Sequence, residues 1–233
     1  MKLAYARPLF EAIAQPEPGL DLFHAALDSD ATLPIAAGAA LLSADENARA
    51  ARFHFAKDAD RFVRGRAFLR SVLAQVTGLA PQALAFEYGP MGKPELQSAP
   101  DLWFNMTHSG ARAVLVVSRN GPIGVDLESP GRTVDVLRLG QTCLVETENR
   151  SLAELPDLAR QRLFLAFWMA KEARMKLTGE GLALAPRAIT LDLQSGWPVG
   201  YLRPFLPHAR LRFVGLPDSG QSCCIATLAE AGH

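Results

Sequence analysis

The order of helix-like and strand-like patterns constrains the fold of this chain more than any other feature of its sequence. Over Lys57–Val76 apolar residues recur at three- and four-residue steps, as on the buried face of a helix, and Gly78 follows as a stop signal. A second amphipathic pattern covers Pro156–Leu177. Shorter β-rich runs follow each pattern, which predicts an α+β protein. The repeated order permits two similar halves, residues 1–118 and 119–233, with a cleft between them.

Local signals predict the shorter elements. An S-x-x-E capping box opens a helix predicted at Ser43–Phe53. An Asn-Gly dipeptide at 120–121 separates two β-rich runs, Ala111–Ser118 and Ile123–Leu127, and therefore predicts a tight hairpin between them. The remaining predicted strands are Lys2–Ala6, Ala188–Leu193, Arg210–Val214 and Ser222–Leu228.

The composition excludes several classes of protein. Apolar residues make up 49% of the chain, which is enough for a substantial core. Lys plus Arg number 24 and Asp plus Glu number 24, and this zero balance argues against a protein built mainly to bind nucleic acid or an anionic membrane. No secretory signal or membrane-spanning run is apparent, so we expect a cytoplasmic protein. Its cysteines match neither a disulfide framework nor a zinc site, and we expect them to be buried and reduced: Cys143, Cys223 and Cys224.

Two carboxylates lie close together in the run G-V-D-L-E. Asp126 and Glu128 are two positions apart, so on a strand they point to the same face. They would repel each other without a cation between them, and hard oxygen ligands of this kind suit Mg²⁺, which also takes substrate phosphates as ligands. A solvated strand face explains the spacing equally well, because D-x-E is a common pattern.

The second long helix carries a stripe of related residues. Trp168, Glu172 and Lys176 are spaced by four positions and therefore share one face. Viewed alone, Glu172 and Lys176 fit an ordinary surface ion pair, worth about 0.3–0.5 kcal/mol. The tryptophan on the same stripe indicates partial burial, which favours a functional site.

A third polar group lies in F-N-M-T-H-S-G, residues 104–110, where we expect a turn that leads into a strand. His108 is a candidate donor to a phosphate oxygen, with the hydroxyl of Thr107 or Ser109 and backbone N–H groups of the turn assisting. A lone histidine is more often structural. The first half also contains many cations, which are either solvated helix faces or contacts to a multiply phosphorylated ligand: Arg49, Arg52, Arg61, Arg64, Arg66, Arg70 and Lys93.

Four motifs follow one another along the chain: G-K-P at 92–94, N-x-T-H-S at 105–109, G-V-D-L-E at 124–128 and W-x-x-K-E-A-x-x-K at 168–176. In this order they closely resemble the phosphopantetheinyl transferases of the surfactin-synthetase-activating (Sfp) type. The resemblance implies a monomer built by internal duplication, in which each half is a small antiparallel sheet packed on a long helix. It implies transfer of phosphopantetheine from coenzyme A to a serine of an apo acyl or peptidyl carrier protein, with release of 3′,5′-ADP.

The resemblance also implies how the C-terminal half acts. Asp126, Glu128 and Glu172 would surround a Mg²⁺ bound to the coenzyme A pyrophosphate, and Lys176 would contact the pyrophosphate near the reacting centre. Glu172 is the first candidate for the base that accepts the serine proton. Glu148 is the second, and its local sequence matches the family only loosely.

For the N-terminal half, the resemblance implies contacts to the nucleotide phosphates. His108 and Lys93, helped by Thr107, would bind the 3′-phosphate side, and Arg49 and Arg61 would contact the same phosphates. Thr107 replaces the serine usual in the family and keeps its hydroxyl. Two further departures concern the outer nucleotide contacts, where some relatives have a basic residue and a small hydroxyl residue in place of Glu46 and Phe62.

Two other functions remain open for these residues. A Mg²⁺-dependent phosphohydrolase or nucleotidyl transferase would use the same carboxylates without a carrier protein. A noncatalytic homologue would bind carrier domains without modifying them. The presence together of the four central residues favours the active transferase over that homologue: Asp126, Glu128, Glu172 and Lys176.

Overall fold

A computed structural model describes residues 10, 12–30, 33–202, 208–217 and 219–229. The strand predicted at Lys2–Ala6 lies outside these residues. The described helices are α1 (Ile35–Ala39), α2 (Ala44–Ala50), α3 (Ala56–Thr77), α4 (Val136–Cys143), α5 (Glu146–Ala153) and α6 (Asp157–Thr178). The described strands are β1 (Ala14–Glu17), β2 (Leu20–Ala26), β3 (Phe86–Tyr88), β4 (Pro94–Leu96), β5 (Trp103–Ser109), β6 (Arg112–Ser118), β7 (Ile123–Leu127), β8 (Leu191–Gln194), β9 (Trp197–Tyr201), β10 (Ala209–Gly215) and β11 (Ser222–Leu228).

The long helices α3 and α6 form where the periodicity predicts them. Each is followed by a glycine with a φ of 75°, Gly78 after α3 and Gly179 after α6, in the left-handed conformation that residues with a Cβ rarely adopt. The helix predicted at Ser43–Phe53 is present as the shorter α2. Its capping box is visible in the carboxylate of Glu46, which accepts the backbone N–H of Ser43 at 3.0 Å.

The sheets are antiparallel, and with the helices they confirm the α+β class. A four-stranded sheet has the order β1-β2-β6-β5, a three-stranded sheet has the order β10-β11-β7, and β3-β4 and β8-β9 form two smaller pairs. The hairpin predicted around Asn120-Gly121 is wrong. β6 already has β2 on one edge and β5 on the other, so β7 pairs with β11 instead. Residues 119–122 therefore carry the chain from one sheet to the next.

Three strands of the four-stranded sheet are absent from the sequence prediction. They are β1, β2 and β5, and β5 occupies most of the segment where a turn is expected. β5 pairs with β6 in unbroken register from Trp103 opposite Ser118 to Ser109 opposite Arg112. The turn expectation fails because the polar residues of β5 meet another part of the protein rather than solvent.

The two larger sheets stack face to face, and a long helix covers the outer face of each. Helix α3 packs Phe68 and Val72 against the four-stranded sheet. Helix α6 packs Phe167 and Ala173 against the three-stranded sheet. Between the sheets lies a third apolar cluster, formed by side chains of β2, β6, β7 and β11: Leu20, Leu22, Val114, Val116, Ile123, Val125, Leu127, Cys223 and Ile225.

Strand β7 passes very close to helix α6. A Cβ atom at Gly124 would lie 2.0 Å from the carbonyl oxygen of Ala173 and 2.4 Å from the backbone nitrogen of Leu177. Only glycine permits this approach. The contact brings Asp126, two residues further along β7, beside the last turns of α6.

Other sequence predictions have mixed outcomes. The three cysteines are free and buried, as expected. None of the described helices combines the length and the apolar character needed to cross a bilayer. The internal duplication and the boundary between residues 118 and 119 stay predictions.

Candidate active site

Asp126 lies at the centre of the candidate site and is 5% exposed. Its Oδ1 atom accepts hydrogen bonds from the Lys176 ammonium at 2.5 Å and from the Thr107 hydroxyl at 3.1 Å. Its Oδ2 atom is buried and has no hydrogen-bond partner among the described residues. A buried carboxylate oxygen without a partner is unfavourable by itself, and a bound cation would satisfy it.

The surroundings of Asp126 shift the pKa of its carboxyl group. Burial raises this pKa from its ordinary 3.8 to about 6, the Lys176 ammonium opposes the rise, and the charges of Glu172 and Glu128 add to it. Like charges disfavour ionisation only when they are near. Asp126 therefore feels the charge of both other carboxylates that are predicted to bind the metal ion.

Lys176 lies between two of these carboxylates. Its Nζ atom is 2.5 Å from Asp126 Oδ1 and 3.6 Å from Glu172 Oε2. The ammonium also donates to the Thr107 hydroxyl at 3.3 Å. The pairing of Glu172 with Lys176 is therefore more than an ordinary surface ion pair, because the shorter contact of the lysine is to a buried carboxylate on another element.

Glu128 lies directly after β7 and is also buried. Its Oε2 atom accepts a hydrogen bond from the Ser109 hydroxyl at 3.2 Å, and its Oε1 atom pairs with the Arg132 guanidinium. Both of its oxygens thus have protein partners, in contrast to those of Asp126.

The metal assignment stays a prediction. In the described ranges of the chain, no group of three or more His, Cys, Asp and Glu residues is arranged to hold a metal ion. The donor chemistry nevertheless fits Mg²⁺, since Asp126, Glu128 and Glu172 offer carboxylate oxygens and one buried oxygen of Asp126 has no partner within the described residues. Lys176 contacts Oδ1 of Asp126, so the Oδ2 atom is the one left for an ion.

His108, a predicted phosphate contact near the end of β5, has positive charges nearby. Partial burial lowers the pKa of His108, and the positive charges of Lys176 and Arg61 lower it further. Lys176 and Arg61 therefore each lie near enough to His108 for their charges to act on it. Arg61 is held by a bidentate ion pair with Asp28, with N···O distances of 2.6 and 2.8 Å.

The two positions that depart from the family pattern support neighbouring arginines. The Phe62 ring lies under the guanidinium of Arg49, 5.1 Å from its centroid, which places Arg49 at the same end of α3 as Arg61. The buried carboxylate of Glu46 accepts from Arg66 Nε at 2.5 Å and from Arg70 Nε at 2.6 Å. Glu46 thus joins α2 to α3.

Lys93 connects backbone groups near the end of α6. Its ammonium donates to the carbonyl oxygens of Ile123, Lys176 and Leu177 at 3.0, 2.7 and 3.0 Å. A lysine ammonium has three N–H donors, and these contacts use all of them. The predicted phosphate contact of Lys93 stays a prediction, and it requires one carbonyl to be exchanged for a phosphate oxygen.

Glu148 is enclosed in the protein core rather than exposed to a substrate. It is 0% exposed, and its carboxylate accepts the N–H groups of Val145 and Leu191, each at 3.0 Å. Lys171 Nζ lies 2.8 Å from Glu148 Oε2. We therefore assign Glu148 a structural role, which leaves Glu172 as the candidate base.

The sequence analysis does not identify two residues that bond to β7 and to Glu128 at the site. Asn105 accepts the backbone N–H of Val125 at 2.9 Å. Ser109, considered only as a helper of His108, bonds to Glu128 instead. The signal that points to them is the alternation N-x-T-x-S over 105–109, which places three polar side chains on one face of a strand.

Comparison with protein families places this chain in a known class of enzyme. Residues 32–120 match the model of the N-terminal region of 4′-phosphopantetheinyl transferases. Residues 122–215 match the model of the 4′-phosphopantetheinyl transferase superfamily. The chain belongs to this superfamily.

Individual relatives agree with the family models. The 4′-phosphopantetheinyl transferase HetI of Nostoc sp. is 40% identical over 148 residues, a match that covers 62% of this chain and 62% of HetI. A 4′-phosphopantetheinyl transferase of Bacillus subtilis is 31% identical over 81% of this chain and 77% of its own length. The transferase Sfp of Bacillus subtilis strain 168 is 28% identical over 80% of this chain and 76% of Sfp. These matches confirm the expected superfamily and its class of enzyme.

Proposed function

We propose that this protein is a 4′-phosphopantetheinyl transferase of the Sfp type. It transfers the phosphopantetheine arm of coenzyme A to a serine of an apo acyl or peptidyl carrier protein and releases 3′,5′-ADP. The observation that carries the proposal is the meeting of β7 with α6, where a buried carboxylate with an unpartnered oxygen in the described structure lies beside Glu172 and Lys176. Membership of the superfamily supplies the type of reaction.

The C-terminal half carries the chemistry in this proposal. When bound to Asp126, Glu128 and Glu172, Mg²⁺ supplies a Lewis acid that neutralises charge on the pyrophosphate oxygens. The serine hydroxyl oxygen forms a bond to the phosphorus that carries pantetheine, and the bond from that phosphorus to the bridging oxygen breaks. The bridging oxygen leaves with 3′,5′-ADP and keeps the electron pair. Lys176 offsets the negative charge that develops on these oxygens.

The serine proton goes to Glu172. The side chain of Glu172 is 20% exposed and lies beside Lys176, whereas Glu148 is enclosed and fully bonded. One carboxylate cannot easily act as a full metal ligand and as the base at once. Glu172 therefore takes the proton either directly or through one water molecule.

The N-terminal half binds the nucleotide phosphates. His108 and Arg61 lie close enough for their charges to interact, and Arg49 lies at the same end of α3. Such a cluster matches the 3′-phosphate of coenzyme A in charge. Residues 1–118 would thus provide most nucleotide contacts, and residues 119–233 would provide the metal ligands and the base.

We also propose that the enzyme acts as a monomer in the cytoplasm. The three buried, free thiols fit a reducing compartment. All residues proposed for the reaction come from a single chain, so a second copy is not needed to complete the site.

Intact-mass measurement of apo carrier proteins tests this function. The protein is incubated with coenzyme A and Mg²⁺, and with each of a panel of acyl and peptidyl carriers. We expect at least one carrier to gain one phosphopantetheine group, and the gain to disappear with EDTA. Breakdown of coenzyme A without any carrier would instead indicate a phosphohydrolase or nucleotidyl transferase. Carrier binding without a gain in mass would indicate a noncatalytic homologue.

A further inference from the structure

Strands β5 and β7 belong to different sheets, yet polar side chains of β5 bond to β7 along its length. Asn105 Oδ1 accepts the N–H of Val125 at 2.9 Å. The Thr107 hydroxyl donates to Asp126 at 3.1 Å. We refer to the side chains at 105, 107 and 109 as the β5 seam, because they stand at alternate positions and face β7.

Ser109 completes the seam at the end of β7. Its hydroxyl donates to Glu128 Oε2 at 3.2 Å and accepts the backbone N–H of Ser129 at 3.0 Å. One hydroxyl thus holds both the side chain of Glu128 and the backbone immediately after it. A hydroxyl has one donor and two acceptor positions, so both bonds form together.

The seam replaces backbone pairing that β7 lacks on one side. β7 is the last strand in the order β10-β11-β7, so only its partner β11 contributes backbone hydrogen bonds of the sheet. A buried N–H without a partner costs about 1–3 kcal/mol, and the carboxylates on β7 would also lose their fixed direction. Asn105 and Ser109 supply these bonds from the neighbouring sheet.

We propose that Asn105 and Ser109 are positioning residues for the metal-binding carboxylates. They hold β7 against β5, so that Asp126 and Glu128 present their oxygens toward α6 before any ligand arrives. Asn105 acts through the backbone at Val125, and Ser109 acts through Glu128 itself. The consequence for catalysis rests on the proposed function, whereas the effect on β7 does not.

Ser109→Ala tests the direct contact to Glu128. Residues that orient a metal ligand typically contribute about 10- to 100-fold in metal affinity or activity, so we expect Mg²⁺ half-saturation to rise by about 10-fold or more. We expect the KM for coenzyme A to change by less than about 2-fold, because the Ser109 side chain does not touch the nucleotide in this proposal. Ser109→Thr keeps the hydroxyl and should restore the normal Mg²⁺ response.

Ser118→Ala is the matched control. Ser118 is a buried serine on β6 whose hydroxyl accepts the backbone N–H of Asn120 at 3.1 Å, at the end of the sheet opposite Ser109. It should lower thermal stability about as much as Ser109→Ala and leave the Mg²⁺ response unchanged. The proposal is overturned if the two variants show the same Mg²⁺ dependence, or if Ser109→Thr behaves like Ser109→Ala.

Asn105 is tested through the backbone that it holds. Asn105→Leu has a similar volume and no acceptor, so the amide hydrogen of Val125 should exchange faster with solvent, while Asn105→Asp keeps an acceptor oxygen and should retain protection. Unchanged exchange at Val125 in the leucine variant would overturn the proposal. If that variant does not fold, loss of Val125 protection in Asn105→Ser, whose shorter side chain cannot reach, replaces it as the test.

Two measurements separate this inference from the proposed function. Hydrogen exchange at Val125 and Ser129, and calorimetric titration with Mg²⁺ alone, require no transfer reaction. If wild-type protein modifies no carrier but the seam variants still expose these amides and weaken Mg²⁺ binding, the function fails and the positioning role stands. If wild-type protein is active and the variants change neither quantity, the positioning role fails alone.

Discussion

Helix α6 carries two lysines that each meet a carboxylate from another element, and the two pairs differ in how completely they are bonded. Lys171 and Glu148 are both 0% exposed at the side chain. Lys171 also donates to the carbonyl oxygens of Pro186 at 3.0 Å and Ile189 at 2.6 Å, so all three of its donors are used. With its two backbone N–H contacts, Glu148 is equally complete.

The second pair, Lys176 with Asp126, is incomplete. Lys176 is 27% exposed, and Asp126 keeps one oxygen without a partner among the described residues. The lysines are five positions apart, which is about 140° around the helix, so one faces the core and the other faces the β7 strand. A buried ion pair in which every polar atom has a hydrogen-bond partner has a structural role. A buried polar atom without a partner indicates a place for a ligand.

We expect the largest effect from a substitution that breaks the fully bonded pair of Lys171 and Glu148. Lys171→Met leaves Glu148 buried without its cation, and removing one partner of such a pair costs about 3–5 kcal/mol. We expect urea unfolding to show this loss, while kcat per folded molecule stays unchanged. The control is Arg150→Met, which breaks the exposed pair with Glu146 and should cost about 0.5 kcal/mol or less. A stable Lys171→Met variant with a reduced kcat would contradict the comparison.

Asp126→Asn tests the incomplete pair. Asp126→Asn weakens the proposed binding of the Mg²⁺ that would stabilise charge in the transition state. Loss of one such stabilising group typically lowers kcat by about 100- to 1,000-fold, and we expect a loss of this size. The unfolding free energy should be unchanged or higher, because a buried charge is removed. Asp192→Asn, at an exposed carboxylate of β8, should change neither quantity. Near-normal transfer by Asp126→Asn in the presence of Mg²⁺ would rule out the metal assignment.

The pH dependence of stability should show the same difference on a smaller scale. The folded-state pKa of Asp126 is about 6, above its ordinary 3.8, so between these values the folded protein binds more protons than the unfolded chain. The stabilisation from the raised pKa of Asp126 is therefore complete below about pH 4 and is lost as the pH rises through about 6, a change of about 3 kcal/mol.

Unfolding in magnesium-free buffer across this range measures the effect. Other carboxylates titrate in the same window, so the useful quantity is the difference between wild-type protein and Asp126→Asn. We expect this difference to change steadily from pH 4 to pH 6. If the unfolding free energies of the two proteins changed in parallel with pH, Asp126 would titrate at its ordinary pKa. Its burial and the neighbouring carboxylates would then not disfavour its ionised form.

The sequence predicts the fold where local pattern decides the structure. The helices α3 and α6 and the strand β11 follow from periodicity and from β-rich composition, and each lies within about two residues of its predicted range. The hairpin at Asn120-Gly121 fails because strand pairing depends on β2, which is more than 80 residues away along the chain. Local turn chemistry does not reveal that β6 already has a partner on each edge.

The site shows a similar limit. Spacing and family resemblance single out Asp126, Glu172 and Lys176, which the structure brings together. They do not distinguish an enclosed carboxylate such as Glu148 from a reactive one, because the two residue types are identical and only burial and hydrogen bonds differ. Lys93 illustrates the same point, since its three carbonyl contacts come from elements far away in the sequence.

The smallest expected effect extends the comparison to the cations of the N-terminal half. His108 is exposed and lies near Arg61 and Lys176, so it is available to a ligand in the way that Lys171 is not. We expect His108→Ala to raise the KM for coenzyme A by about 10-fold, the value of one hydrogen bond to a charged group, with kcat unchanged. His208→Ala, at an exposed histidine beside β10, is the control and should have no effect.

With dephospho-coenzyme A, which lacks the 3′-phosphate, the difference between His108→Ala and wild-type protein should disappear, because the partner of the histidine is then missing. A fall in kcat alone, or a loss of the same size with both substrates, would place His108 elsewhere than at the 3′-phosphate.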